Sequence, residues 1–233
     1  MFIKLCNVKN YTKDLPRQNK QIKYIVIHFT ANNGDTARNN LDYFARVSCG
    51  ASAHFFVDET EVCCSVPVQY VAWHCGTKGK YKHSTCRNSN SIGIEMCSRK
   101  DSKGKYYFKD ETIHNTARFT AQQMKNYNIP IENVIRHYDV TGKNCPAPFV
   151  ENSQLWQNFK NLVIKYYNGD KQEVKQDMQY YEKIDDIPAG ELRETVRELV
   201  SRGIIKGNGA GLHLTYDMVR LIVFLKRAGG FDK

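Results

Sequence analysis

Hydrophobic residues in the first 168 positions form short continuous runs, separated by stretches with helical spacing. The β-branched and apolar runs at residues 21–29 and 91–97 are typical of buried strands. Two shorter apolar segments, 53–57 and 61–66, flank a polar turn and predict a β-hairpin. One more short strand is predicted over residues 133–135, directly before an Arg-His pair.

Three other segments of the same region carry apolar residues at the spacing of an amphipathic helix. Thr36 is a typical N-cap for the first helix, and the other two are predicted over residues 111–128 and 155–167. Pro130 lies just beyond the second, where a helix often stops. Because helices alternate with strands but a hairpin interrupts the alternation, the predicted fold class is α/β, with a mixed central β-sheet flanked by helices.

The last part of the chain has a different pattern. A polar stretch is followed by two predicted helices, 191–201 and 216–228, on either side of a glycine-rich turn. In the second helix Met218, Leu221, Ile222 and Leu225 share one side, which is expected to face a small core. The predicted domains are residues 1–168, a linker over 169–179, and a small C-terminal helical domain over 180–233.

Composition narrows the class of protein. Hydrophobic residues make up 41% of the 233 positions and charged residues 25%, which is ordinary for a globular protein. The net charge is +10, of which +9 lies before residue 175. A basic surface suits an anionic partner such as a cell wall or nucleic acid, and it is equally compatible with a surface that only aids solubility. No segment is apolar enough for a membrane span, and the first residues lack the apolar core of a signal peptide.

Eight cysteines are present, and none forms a Cys-x-x-Cys pair. A zinc ribbon is therefore a poor interpretation, and without a secretion signal a disulfide framework is not the first expectation. Most of these cysteines are expected to behave as small buried hydrophobes. Cys145 is the exception, because it lies close to a histidine in a turn.

Four segments of the chain carry residues suited to catalysis. The candidates are His28, His74, Glu95, His137, Lys143 and Cys145. His137 and Cys145 are joined by a turn containing Gly142, which can bring both side chains to one point, and His28 can approach from the end of a neighbouring strand. Imidazole and thiolate both suit a catalytic zinc, which usually has three protein ligands and one open position. Spacing alone supports this only weakly, because a single histidine or cysteine is more often structural.

The combined pattern resembles the type 2 N-acetylmuramoyl-L-alanine amidases, a family related to peptidoglycan recognition proteins. The resemblance runs from about residue 23 to residue 167. It depends on five segments in the family's order: IHFT, SAHFFVD, AWHCG, NSIGIEMC and RHYDVTGKNCPAPF. It implies a zinc enzyme that hydrolyses the amide bond between N-acetylmuramic acid and L-alanine in bacterial peptidoglycan.

The resemblance also implies roles for individual residues. His28, His137 and Cys145 correspond to the zinc ligands. Lys143 corresponds to the lysine beside the oxyanion, and Glu95 to the carboxylate that acts as general base. Some phage members have a tyrosine just before the histidine of the SAHF segment; the residue here is Ala53, which favours Glu95 as the base. The remaining candidates, His74 and its neighbour Trp73, are predicted to bind substrate. For Trp73, a place in the hydrophobic core is an open alternative. His54 is interpreted as structural.

The C-terminal segment resembles a single unit of the surface-layer homology type, through IDDIP, a helix ending in GIIKG, and a second helix. This implies binding to a cell-wall polymer; pairing of chains or simple packing are the alternatives. The leading hypothesis is a phage or prophage endolysin, made in the cytoplasm without a signal peptide and acting at the bacterial cell wall after release. A host autolysin, a recycling amidase and a non-catalytic peptidoglycan-binding module are the other hypotheses. Nucleic-acid binding has no supporting motif.

Overall fold

The molecule is described by a computed structural model that covers residues 1–13, 16–77, 79–169, 181–207, 209, 211–227 and 229–231. The chain forms two compact units, Met1–Lys171 and Gln172–Lys233. The predicted linker over 169–179 lies outside the described residues from position 170 onward, and so does Ala228 at the predicted end of the last helix.

The strands of the first unit are β1 Phe2–Ile3, β2 Tyr11–Thr12, β3 Tyr24–Phe29, β4 Phe55–Val57, β5 Val62–Cys64, β6 Val71–Ala72, β7 Ser91–Met96, β8 Arg99–Lys100, β9 Tyr106–Tyr107 and β10 Val134–Arg136. Six of them form a central sheet in the order β1-β5-β4-β7-β3-β10. Strands β4, β7, β3 and β10 are parallel to one another, whereas β5 runs antiparallel to β4 and pairs in parallel with β1. Two two-stranded ladders, β2-β6 and β8-β9, are separate from this sheet.

Helices cover both faces of the sheet. The helices of the first unit are α1 Ala37–Arg46, α2 Asp110–Tyr127, α3 His137–Thr141, α4 Ala147–Glu151 and α5 Ser153–Tyr167. Helix α1 begins at an N-cap threonine, Thr36, whose side chain accepts a hydrogen bond from Asn39 N, as the sequence predicts. Helix α2 ends at Asn128, which adopts a left-handed conformation before Pro130. The α/β fold class with a mixed sheet is therefore confirmed.

The alternation of side chains along the strands separates a packed face from a functional face. On β3 and β7, Ile25, Ile27, Ile92 and Ile94 point into the main core, which α2 and α5 complete. The intervening residues of the same strands, including His28 and Glu95, point to the opposite face. Because β3 and β7 pair in register, with His28 beside Glu95, these two polar side chains emerge next to each other.

Sequence patterns located the elements to within a few residues. The hairpin is present as β4 and β5, which pair antiparallel. Strand β3 begins at Tyr24 rather than at residue 21, because Asn19–Gln21 form a 3₁₀ turn. The cysteines behave as predicted in general: all eight are free thiols, and seven of them are buried. Among the described residues, no helix combines the length and apolar character needed to cross a membrane.

The described residues of the second unit form two α-helices, α6 Glu191–Ser201 and α7 Tyr216–Arg227, and a small core that includes Val196 and Val219. Leu199 and Val223 of the same helices are also buried. The predicted core face of α7 is wrong for three of its four residues. Met218, Leu221 and Leu225 are 48%, 57% and 40% exposed, and only Ile222 packs against the core. The helix YDMVRLIVFLKR is apolar on more than one side, so periodicity alone could not select the face defined by Val219 and Val223.

Replacement of Phe159 by alanine tests the packing beneath the sheet. Phe159 is 1% exposed and contacts Phe149 and Trp156, so we expect a loss of about 3–5 kcal/mol in the free energy of unfolding. Urea unfolding followed by tryptophan fluorescence reports on the first unit, because both tryptophans lie there. Leu155→Ala on the same helix, at a side chain that is 41% exposed, is the control and should cost less than about 1 kcal/mol. Equal losses in the two variants would contradict the assigned core.

Candidate metal centre and active site

Three neighbouring parallel strands end at the same edge of the sheet. His28 and Glu95 lie near the ends of β3 and β7, and His137 follows directly after β10. The carboxyl ends of parallel strands are the usual place for a site in an open α/β sheet. The order β7-β3-β10 places His28 between the other two residues.

The turn after β10 returns Cys145 to His137. Helix α3 ends at Gly142, whose φ of +84° lies in the left-handed region that favours glycine. The backbone N–H of Tyr138 then donates to the carbonyl oxygen of Cys145 at 2.8 Å, which closes the loop. Arg136 fixes the start of this loop through hydrogen bonds that its side chain donates to Asp139 and to the carbonyl oxygen of Phe149.

His28, His137 and Cys145 form a buried triad whose ligand atoms all lie within 4.8 Å of one another. The Nδ1 atoms of the two histidines are 3.1 Å apart, and Cys145 Sγ is 3.8 Å from His28 Nδ1. Tetrahedral zinc with ordinary bond lengths separates two nitrogen ligands by about 3.3 Å, and a nitrogen from a sulfur by about 3.6 Å. The three donors therefore fit a zinc ion in type and in spacing.

Burial sets the protonation of the triad. It lowers the pKa of His28 well below its ordinary value, with the nearby His137 and His74 adding to the effect, and it lowers the pKa of His137 to about 3. Both rings are therefore neutral at pH 7 and keep a lone pair for a metal. Burial also raises the pKa of the Cys145 thiol to about 12, so that a bound cation would have to displace its proton.

Glu95 lies on β7, beside His28 of the triad. Its Oε2 atom is buried and makes no hydrogen bond within the described residues. Burial raises the pKa of its carboxyl to about 8; Lys143 opposes the rise and Asp35 adds to it. A carboxyl whose pKa lies near neutrality can both accept and return a proton. Lys143 itself is exposed, and its charge acts on Glu95 and on all three members of the triad.

The two predicted substrate-binding residues differ in their surroundings. His74 is 9% exposed, and its Nδ1 lies 3.0 Å from His28 Nε2. Trp73 is half-buried, and its indole Nε1 donates to Thr12 Oγ1 at 2.9 Å, so that β2 fixes its ring. Substrate binding by either residue stays a prediction.

Sequence reasoning missed a set of buried polar residues behind the triad. Arg17 is 6% exposed; it donates to the carbonyl oxygens of Val68 and Ser91, and its Nη2 lies 2.7 Å from His54 Nε2. His54 accepts a hydrogen bond from Gly93 N at its other ring nitrogen. These contacts agree with the structural interpretation of His54. The sequence did not indicate that Arg17 is buried, because a single arginine in a polar segment is usually exposed.

Two histidines and a cysteine, with a partly buried carboxyl group on the adjacent strand, are a donor set that suits a metal-dependent hydrolase. A family model described as N-acetylmuramoyl-L-alanine amidase matches residues 18–148, more than half of the chain. The chain belongs to this family.

Relatives and solved structures agree with that assignment. The N-acetylmuramoyl-L-alanine amidase BlyA of Bacillus subtilis is 38% identical over 160 residues, which cover 64% of this chain and 42% of BlyA. The catalytic domain of XlyA is 27% identical with a TM-score of 0.56, covering 70% of this chain and 97% of that domain. A mutant endolysin from Bacillus subtilis has 27% identity and a TM-score of 0.54, over 70% of this chain and 97% of its own. The chain thus spans about two fifths of the length of curated relatives such as BlyA.

Replacement of Cys145 by serine tests the triad as a metal site. Serine keeps the size of the side chain but removes the soft sulfur ligand, so we expect zinc affinity to fall by at least about tenfold. Competition with a chromophoric chelator measures the affinity. Cys49→Ser changes the one exposed cysteine and should bind zinc like the wild-type protein. Unchanged affinity in Cys145→Ser would exclude this cysteine as a ligand.

Proposed function

We propose that the protein is a zinc-dependent amidase that hydrolyses the bond between N-acetylmuramic acid and L-alanine in bacterial peptidoglycan. The observation that carries the proposal is the buried triad of His28, His137 and Cys145, with Glu95 beside it on the adjacent strand. Membership of the amidase family and similarity to BlyA support the choice of substrate.

His28, His137 and Cys145 would hold the zinc ion. When bound, zinc supplies Lewis-acid chemistry: it polarises a carbonyl and lowers the pKa of an attacking water. Glu95, once ionised beside a bound cation and Lys143, would accept the proton of that water and pass it to the leaving amide nitrogen. Its Oε2 atom is buried and makes no hydrogen bond to the described residues, so it is free for this role. The cation of Lys143 stabilises the negative charge that develops on the carbonyl oxygen.

The remaining residues would bind substrate or the cell wall. His74 and Trp73 are proposed to contact the substrate from the AWHCG segment. The domain over residues 1–168 would carry catalysis, and the helical domain over 180–233, which resembles a surface-layer homology unit, would bind a cell-wall polymer. Similarity to an endolysin from Bacillus subtilis supports a role in lysis by a phage or prophage, with action at the cell wall.

Digestion of purified peptidoglycan by the zinc-loaded protein tests the reaction. We expect new amino termini on alanine and no new reducing sugars, because the amide bond is cut and the glycan is not. A metal-stripped sample is the matched control and should release nothing. New reducing ends would identify a glycosidase and refute the proposal. Absence of any product, with the protein retained on the wall, would indicate a binding module instead.

The role of Lys143 is tested separately by Lys143→Ala. Loss of a fixed charge beside a developing oxyanion should lower turnover by on the order of a hundredfold or more, while zinc content stays unchanged. Lys125→Ala removes an exposed lysine of helix α2 and serves as the control for a general loss of charge. Turnover near the wild-type value in Lys143→Ala would show that this lysine does not act on the reaction.

A further inference from the structure

His28 is held at both of its ring nitrogens. Its Nδ1 faces the other members of the triad, and its Nε2 lies 3.0 Å from Nδ1 of His74. A neutral imidazole carries one proton, so only one of its nitrogens can offer a lone pair to a metal. If the partner of Nε2 accepts a hydrogen bond, the proton of His28 stays on Nε2 and Nδ1 keeps its lone pair for a metal.

The proton positions follow from the far end of a hydrogen-bonded chain. Ser91 Oγ lies 2.6 Å from the carbonyl oxygen of Arg87, which can only accept, so the Ser91 hydroxyl donates there. Ser91 Oγ is then free to accept from His74 Nε2, 3.1 Å away. With its proton on Nε2, neutral His74 has a bare Nδ1, which accepts from His28 Nε2–H. The result is a lone pair on His28 Nδ1, the atom that faces the triad.

We propose that His74 and Ser91 are positioning residues that hold His28 in the tautomer able to bind zinc. This inference rests on the proposed role of His28 as a metal ligand. A metal-bound histidine commonly donates its second N–H to a carboxylate, a carbonyl or water, and such partners influence metal affinity. Here a second histidine takes that place and transmits the constraint to a backbone carbonyl.

The surrounding packing keeps His74 in the relay, the chain of hydrogen bonds that Ser91, His74 and His28 form. A Cβ atom at position 93 would lie 2.6 Å from His74 Cγ, so the ring occupies space that only a glycine leaves open. Asn88 Oδ1 accepts from the backbone N–H of His74 at 3.1 Å and fixes the main chain beside the ring. Both His74 and Ser91 are buried, which shields the chain of hydrogen bonds from competing water.

The second histidine of the triad has no equivalent support. His137 Nε2 is buried, and no described residue forms a hydrogen bond with it. The relay therefore acts on His28 alone, and its loss should alter one ligand of the triad without changing the other two.

Zinc affinity of three variants, measured by chelator competition, tests the proposal independently of peptidoglycan hydrolysis. His74→Ala and Ser91→Ala should bind zinc about 10–100-fold more weakly than the wild-type protein. His74→Asn should recover most of the affinity, because its amide oxygen can take the place of Nδ1 and accept from His28 Nε2–H. The absorption spectrum of the cobalt-substituted proteins provides a second readout: it should change in His74→Ala and return towards wild type in His74→Asn.

Ser98→Ala is the matched control. Ser98 is as buried as Ser91 and also donates to a backbone carbonyl, that of Asn32, but it has no histidine partner in the described structure. Zinc affinity should be unchanged in this variant, and urea unfolding should confirm that all the variants fold.

The outcomes separate this inference from the proposed function. Wild-type affinity in both His74→Ala and Ser91→Ala would overturn the relay while leaving the zinc site intact. Equal weakening in His74→Asn and His74→Ala would also overturn it, because packing rather than the hydrogen bond would then be responsible. A wild-type protein that binds no zinc would refute the proposed function itself, and the relay with it.

Discussion

The parallel, in-register pairing of β3 with β7 is the constraint on which the site depends. It places His28 beside Glu95 on one face of the sheet, while the isoleucines that alternate with them along the two strands fill the core on the other face. The same pairing places Ser91 and Gly93 on the face where His74 lies. A slip of one residue would turn these side chains into the core and bring isoleucines to the site, so the hydrophobic core fixes the register that brings His28 and Glu95 together.

Burial of so many polar groups at the carboxyl ends of the strands costs free energy, and hydrogen bonds offset that cost for some of the groups but not for all. Arg17, His54 and Ser91 satisfy one another and nearby carbonyl groups. The triad and Glu95 are compensated less completely: two neutral histidines, a protonated thiol and a carboxyl with a raised pKa share a small volume. In these uncharged forms the four side chains tolerate such proximity, and a divalent cation would compensate the charge of the thiol and the carboxyl when they lose their protons.

The sequence predicted most of this arrangement because its segments are specific. Strand and helix positions followed from apolar periodicity, and the set of His28, His137, Cys145, Glu95 and Lys143 followed from five ordered motifs. The contact between His74 and Ser91 could not be predicted, because it depends on a register and on the space above Gly93 that no local pattern encodes. The buried face of α7 could not be predicted either, because Val219 and Leu221 are both apolar and only tertiary packing buries one and exposes the other.

Strand β1 is only two residues long, yet it covers the outer edge of the sheet by pairing with Cys63 and Cys64 of β5. The backbone groups that it satisfies would otherwise form an open row of donors and acceptors. Shortening the chain by its first five residues would therefore leave the residues of the candidate site in place but uncover a template for strand addition between molecules. Aggregation, rather than inactivity, is the hazard that such a truncation carries.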